Sequence, residues 1–260
     1  VFAFTAFCGL NYRRETFAQN SGLAVSPSSA EELQELCVAL TLDANRLRAG
    51  LPEDAAGVIV SGFAGVDETA GFAQAAYGNL ADQYPSLSGY TPRPKPVSLS
   101  KGLSHLNITG IYMPFFFEAN VNVDVCAYSI PATMMHELSH FKGYMREDEA
   151  NFIAYLACRE SGNDEFAYSG TMLALQNSLN ALYKADIERY AEVAVLLSDA
   201  VQRDRTANRI YWQQFDGTAA KVSSRVNDVY LKTNHQSEGV RSYGQMVDLL
   251  LAEYRRDMSR

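Results

Sequence analysis

The sequence predicts an α+β fold, mostly α-helical, with a small β-sheet placed just before a histidine-bearing helix. Three observations predict it. The run "ITGIYMPFFFEANVNVDVC" (residues 108–126) is rich in β-branched and aromatic residues, the composition of strands. From Pro131 onward apolar residues fall at helical spacing almost to the end, punctuated by Gly143, Gly162, Gly217 and Gly239. The 260 residues, 47% of them hydrophobic, suffice for one sizeable core, and no repeat divides them.

The chain opens "VFAFTAFCGLNYRR". This apolar run falls short of the roughly 20 residues that span a bilayer, and it lacks the basic start of a signal peptide. Two readings fit: a buried N-terminal segment, or the end of a membrane helix with "NYRR" at the interface. On the second reading residues 1–15 close a membrane segment and residues 16–260 form a single domain. Next, "SPSSAEELQELCVAL" places Ser and Pro before Glu31 and Glu32, with Leu33, Leu36, Cys37 and Leu40 on one helical face. A second helix is predicted over 67–83. Pro92, Pro94 and Pro96 mark a loop that leads into a short strand at 97–99.

Within the strand run, Pro114 makes a break. Beyond it Ala119, Val121, Val123 and Val125 alternate with Asn120, Asn122 and Asp124, the pattern of a strand covered on one face. Helices are then expected near 131–142, 146–160, 164–183, 186–203, 205–215, 218–233 and 241–256. Cys8, Cys37, Cys126 and Cys158 form no CxxC pair and read as free, mostly buried thiols, although a Cys126–Cys158 disulfide would also fit. The net charge of −8 argues against nucleic acid, whose phosphates need a basic surface.

The chemistry lies in "MMHELSHFKGYMREDEANFIAYLAC" (residues 134–158). Positions i and i+4 share a helix face, so His136 and His140 can direct ring nitrogens at one metal ion. Glu137 sits beside that point. It can take a proton from a water polarised by zinc and hand it to a leaving amine. Met134, Met135, Leu138 and Phe141 give the helix a side to bury, and Pro131 suits its first turn. The competing reading is a pair of satisfied core histidines in a purely structural helical domain.

A catalytic zinc needs a third protein ligand and an open position. Glu147 and Glu149 are about 200° apart on a helix, so only one can face the ion. The face of Glu147 continues through Ala150, Asn151 and Ala154, which permits a close approach to the histidine helix. It also places Asn151 to support a ligand histidine. Glu147 is therefore the expected ligand, with Glu149, whose face carries Phe152, Ile153 and Leu156, as the alternative. Asp148 reads as a complement to the helix N-terminus.

HExxH followed by a helix that begins Glu147-x-x-x-Asn151 resembles the gluzincin group of zinc metallopeptidases. More narrowly, "GLNYRR", "TGIYMPFFFEANVN", the histidine segment and "NDVYLKTNHQSEGVRSYGQMVDLLL" resemble a bacterial family, domain of unknown function 3810. The resemblance implies a zincin-like (gluzincin) domain, one Zn2+ and Glu147 as third ligand. It also implies peptide or protein substrates, and membrane association of the full-length protein through N-terminal helices, on an unassigned side. The metzincin pattern fits Gly143 but finds Arg146 where its third histidine belongs. In zincins an edge strand above the metal binds extended substrate, and "EANVNVD", with Asn120 and Asn122, suits that place. Tyr243, Tyr168 and His235 are candidates to stabilise an oxyanion, and Arg241 to orient a substrate carboxylate. The alternative function is a zinc-binding, non-catalytic interaction domain at the membrane.

Overall fold

The structure, a computed structural model, describes residues 9–217 and 244–259. Its α-helices, in chain order, are α1 (Phe17–Ser21), α2 (Ala30–Arg48), α3 (Val66–Gln83), α4 (Ser100–His105), α5 (Ser129–Phe141), α6 (Glu147–Arg159), α7 (Asp164–Ala185), α8 (Ile187–Ala194), α9 (Asp199–Gln213) and α10 (Gln245–Met258). Three short strands, β1 (Lys95–Pro96), β2 (Gly110–Met113) and β3 (Glu118–Val121), form one sheet in the order β1-β3-β2. The chain is thus mostly helical with a small sheet, as the sequence predicts. No helix among the described residues is long and apolar enough to cross a membrane. The expected helix at 218–233 and the candidates His235, Arg241 and Tyr243 lie outside the described residues, as does most of the apolar opening.

Local signals set most helix ends. Ser29 accepts the Glu32 N–H while the Glu32 carboxylate accepts the Ser29 N–H, a capping box that starts α2. Asn163 and Asp186 cap α7 and α8 with their side chains. The sequence places one helix over 186–203 and the next from 205. The structure instead breaks at residues 195–198, because Ser198 accepts the Val201 N–H and starts α9 there. Helices α1 and α4 were not expected. α1 rests on a capping box between Thr16 and Gln19, and α4 is a short turn inside the proline-rich stretch.

α5, α6 and α7 pack against one another, and α2 lies along α7. Met134, Met135, Leu138, Phe152, Ile153, Phe166 and Leu175 fill the space between them. α3 covers α5 as well, where the Tyr77 hydroxyl donates to Ser139 Oγ at 3.0 Å. The sheet packs on α5 through β2 and β3. Ala119 and Val121 point inward and are fully buried, as the alternation predicts.

The strand order corrects one expectation. β3 is the central strand, parallel to β1 and antiparallel to β2, so its backbone is already paired on both sides. The short strand beside it is Lys95–Pro96 rather than 97–99. β3 also ends at Val121, so the predicted continuation through Val123 and Val125 is not strand. Asn122 turns inward and is fully buried. Its amide donates to Ser104 Oγ and the Ile108 carbonyl, both at 2.9 Å, and its Oδ1 accepts the Asp124 N–H.

Candidate metal centre

α5 carries His136 and His140 one turn apart on the same face, and its C-terminus brings α6 back toward them. Gly143 stands at φ +93, a left-handed conformation that glycine adopts without strain. The Gly143 N–H donates to the His140 carbonyl at 2.9 Å and the Tyr144 N–H to the Ser139 carbonyl at 3.2 Å, a Schellman motif. The reversed chain aims the Tyr144 carbonyl at His140 Nδ1, 2.8 Å away. Glu147 then opens α6 beside both rings. This turn explains how so short a connection joins the two helices.

The ligating atoms of His136, His140 and Glu147 all lie within 4.8 Å of one another. His136 Nε2 is 3.2 Å from one Glu147 oxygen, and His140 Nε2 is 3.6 Å from the other. Two donors 2.0–2.1 Å from a tetrahedral ion stand about 3.3 Å apart, close to both histidine–Glu147 spacings. Each Nδ1 already has an acceptor: Asn151 Oδ1 at 2.7 Å for His136, and the Tyr144 carbonyl for His140. With Nδ1 protonated, both Nε2 lone pairs face a carboxylate. That arrangement needs positive charge between the groups, from a proton or from a metal.

The electrostatics show the same demand. Burial disfavours the charged form of His136, but the hydrogen bond and charge of Glu147 prevail and push it up to about 9. Burial likewise opposes ionisation of Glu147, yet the two imidazoles hold it well below the usual carboxylate range. The Glu147 side chain is 39% exposed while His136 is 14% and His140 10%, so the site opens on the Glu147 side.

Glu137 is 3% exposed, and burial raises its proton affinity. The Tyr112 N–H of β2 hydrogen-bonds to its carboxylate, whereas Oε2 has no partner. β2 comes this near because residue 110 is glycine. A methyl group there would overlap Glu137 Oε1 and lie 2.8 Å from Thr133 Cγ2. Sequence reasoning missed Gly110. The available signal was a glycine inside a strand pattern, which marks close backbone approach.

A family model described as protein of unknown function (DUF3810) matches residues 1–251. The chain belongs to the DUF3810 family. No curated protein and no solved structure matches it.

The other candidates in this DUF3810 chain sit elsewhere. Glu149 is buried on the opposite side of α6, where its carboxylate accepts the Phe17 N–H at 2.7 Å and caps α1. Tyr168 is fully buried in α7, and its hydroxyl donates to Asp204 at 2.7 Å. The same carboxylate accepts from Arg48 at 2.6 Å, so Tyr168 belongs to a buried structural network. Asn120 lies on the outer face of the central strand with its amide turned to the Glu118 carbonyl. Neither Asn120 nor the buried Asn122 borders a free strand edge. Cys37, Cys126 and Cys158 are free thiols, without the Cys126–Cys158 disulfide.

Proposed function

We propose that this chain is a zinc-dependent metallopeptidase with a zincin-like site. His136, His140 and Glu147 hold one zinc ion, and Glu137 is the general base. One observation carries the reading: three potential ligand atoms gather within 4.8 Å of one another beside a buried carboxylate whose second oxygen is unpartnered. Zinc bound there would supply Lewis-acid polarisation of a water and of the scissile carbonyl. Glu137 takes the proton of that water at Oε2 and passes it to the leaving amine, while the Tyr112 N–H keeps the carboxylate in place. Its raised proton affinity brings it nearer the pH at which such a base works.

An extended peptide or protein segment would add to β2, not β3. β2 ends the sheet: among the described residues no strand pairs with its other side, where the Tyr112 N–H meets the Glu137 carboxylate. The Val121 carbonyl accepts from Val97 on the β1 side, so its partner Gly110 turns its own N–H and C=O to the open edge. We keep membrane association of the full-length protein in this reading, supported by the family resemblance. Binding of zinc without turnover, in an interaction domain, is the second reading. The nearly complete burial of Glu137 favours it.

The test compares wild type with Glu137→Gln for zinc content and for cleavage of a broad fluorogenic peptide library. One zinc per chain in both proteins is expected, with cleavage falling about 10²–10⁴-fold in the variant. Zinc in both and cleavage by neither would select the second reading. Zinc in neither would end both.

A further inference from the structure

The turn that joins α5 to α6 is gripped from outside by residues 14–20. Lys142 caps the C-terminus of α5, and its carbonyl accepts from Arg14 Nη1 at 2.6 Å. The last carbonyls of a helix lack partners within it, and the dipole there favours a cation. Arg14 Nη2 donates to the Ser86 carbonyl at 3.3 Å. The guanidinium carbon lies 4.8 Å from the centre of the Tyr144 ring. Gly143 stands between these contacts, and a methyl group on it would sit 2.7 Å from Arg14 Nη1. One arginine therefore touches all three residues of the turn.

α1 holds the same turn. The Phe17 and Tyr144 rings meet edge to face, with centroids 5.5 Å apart. The Tyr144 hydroxyl accepts from Asn20 Nδ2 at 3.2 Å and donates to Ser86 Oγ at 2.9 Å. The Phe17 N–H reaches past it to Glu149 of α6. Tyr144 is 1% exposed as a result. Its carbonyl is the acceptor facing His140 Nδ1, and Glu147 follows three residues on. The backbone bonds of the turn fix its N–H groups, whereas Arg14 fixes the Lys142 carbonyl and the Tyr144 ring. Arg14 is itself exposed and, among the described residues, forms no ion pair. An exposed arginine of this kind adds little to global stability. Its donors are spent on holding a turn that serves the histidines.

We infer that Arg14 is a positioning residue of the metal centre. By pinning residues 142–144 it keeps the Tyr144 carbonyl on His140 Nδ1 and Glu147 opposite both imidazoles. The inference rests on the zinc reading above, and Arg14 touches neither ion nor substrate. It gives the "NYRR" segment a task at the site, because a displacement of residue 14 reaches His140 through a single turn.

Metal binding to the 260-residue chain tests it, read as zinc affinity in a chelator competition and as the visible absorption of bound cobalt(II), which reports ligand geometry. Arg14→Ala is expected to bind zinc about tenfold more weakly, the lower end of the loss that follows when support for a ligand histidine is removed. Its cobalt absorption should change, and the melting curve of the metal-free chain should not. Arg14→Lys, which keeps the charge and one donor, should fall between Arg14→Ala and wild type, and it carries the comparison if Arg14→Ala does not fold. Arg46→Ala removes an exposed arginine paired with Asp43 elsewhere on the surface and should bind like wild type. Wild-type affinity and absorption in the Arg14 variants would overturn the proposal. So would equal losses in Arg14→Ala and Arg46→Ala, which would mark a general effect of surface charge. Wild type that binds neither metal would end the proposal together with the zinc reading, so wild type alone tells the two failures apart.

Discussion

Gly110 of β2 packs flat against Glu137 of α5, so closely that a methyl group would lie 2.9 Å from the carboxylate carbon. Gly110→Ala must therefore push the strand or the base aside. Overpacking of this kind costs about 1–3 kcal/mol, and the displaced carboxylate would lose its place beside the Tyr112 N–H. A lower melting temperature and reduced cleavage with unchanged zinc content are expected. A variant as stable and as active as wild type would show that the approach is not tight.

Glu147 and Glu149 should part cleanly. Glu147→Ala removes the carboxylate facing both imidazoles and should sharply lower zinc stoichiometry measured by plasma mass spectrometry. Glu149→Ala removes the buried acceptor of the Phe17 N–H and should cost about 1–3 kcal/mol of stability in denaturant titration, with zinc retained. The opposite order of zinc loss would overturn the ligand assignment.

Asn151 fixes the tautomer and tilt of His136 from 2.7 Å away. Its replacement by Ala should weaken zinc affinity about 10–100-fold in a chelator competition, while His136→Ala abolishes it. Equal affinity of Asn151→Ala and wild type would leave Asn151 with a packing role only.

Tyr168→Phe tests the reassignment of that tyrosine. It deletes a buried hydroxyl that donates to Asp204, so a stability loss of about 1–3 kcal/mol is expected. Peptide cleavage per folded molecule should not change. A large loss of turnover with normal stability would return Tyr168 to the reaction.

The helices α5 and α6 and the shared face of His136, His140, Glu147 and Asn151 were legible because helical periodicity is a local property. A residue's position along the helix fixes its angle around the axis, and that alone separates Glu147 from Glu149. The capping box at Ser29 was legible for the same reason. The role of β3 was not. Whether a strand lies at an edge or in the middle depends on what pairs with it, and the neighbour that covers β3 is a two-residue strand inside a proline-rich loop. Asn122 misled for a related reason: alternation cannot show that the strand stops one residue earlier and that the side chain turns under α4. Tyr168 is an oxyanion candidate on sequence alone, but its partner Asp204, and the Arg48 paired with that carboxylate, come from distant parts of the chain.

The three side chains of the proposed zinc site come from one uninterrupted stretch, from His136 to Glu147, folded back on itself at Gly143. Closing so short a loop has a small entropic cost, so on the proposed reading ion capture would need only the pairing of two neighbouring helices. The proposed base, Glu137, is different, because its N–H anchor and its close wall arrive on a strand from another part of the sequence. If the chain is the proposed peptidase, ion capture and turnover thus have separate points of failure. Damage confined to the sheet would then be expected to spare zinc content while abolishing cleavage.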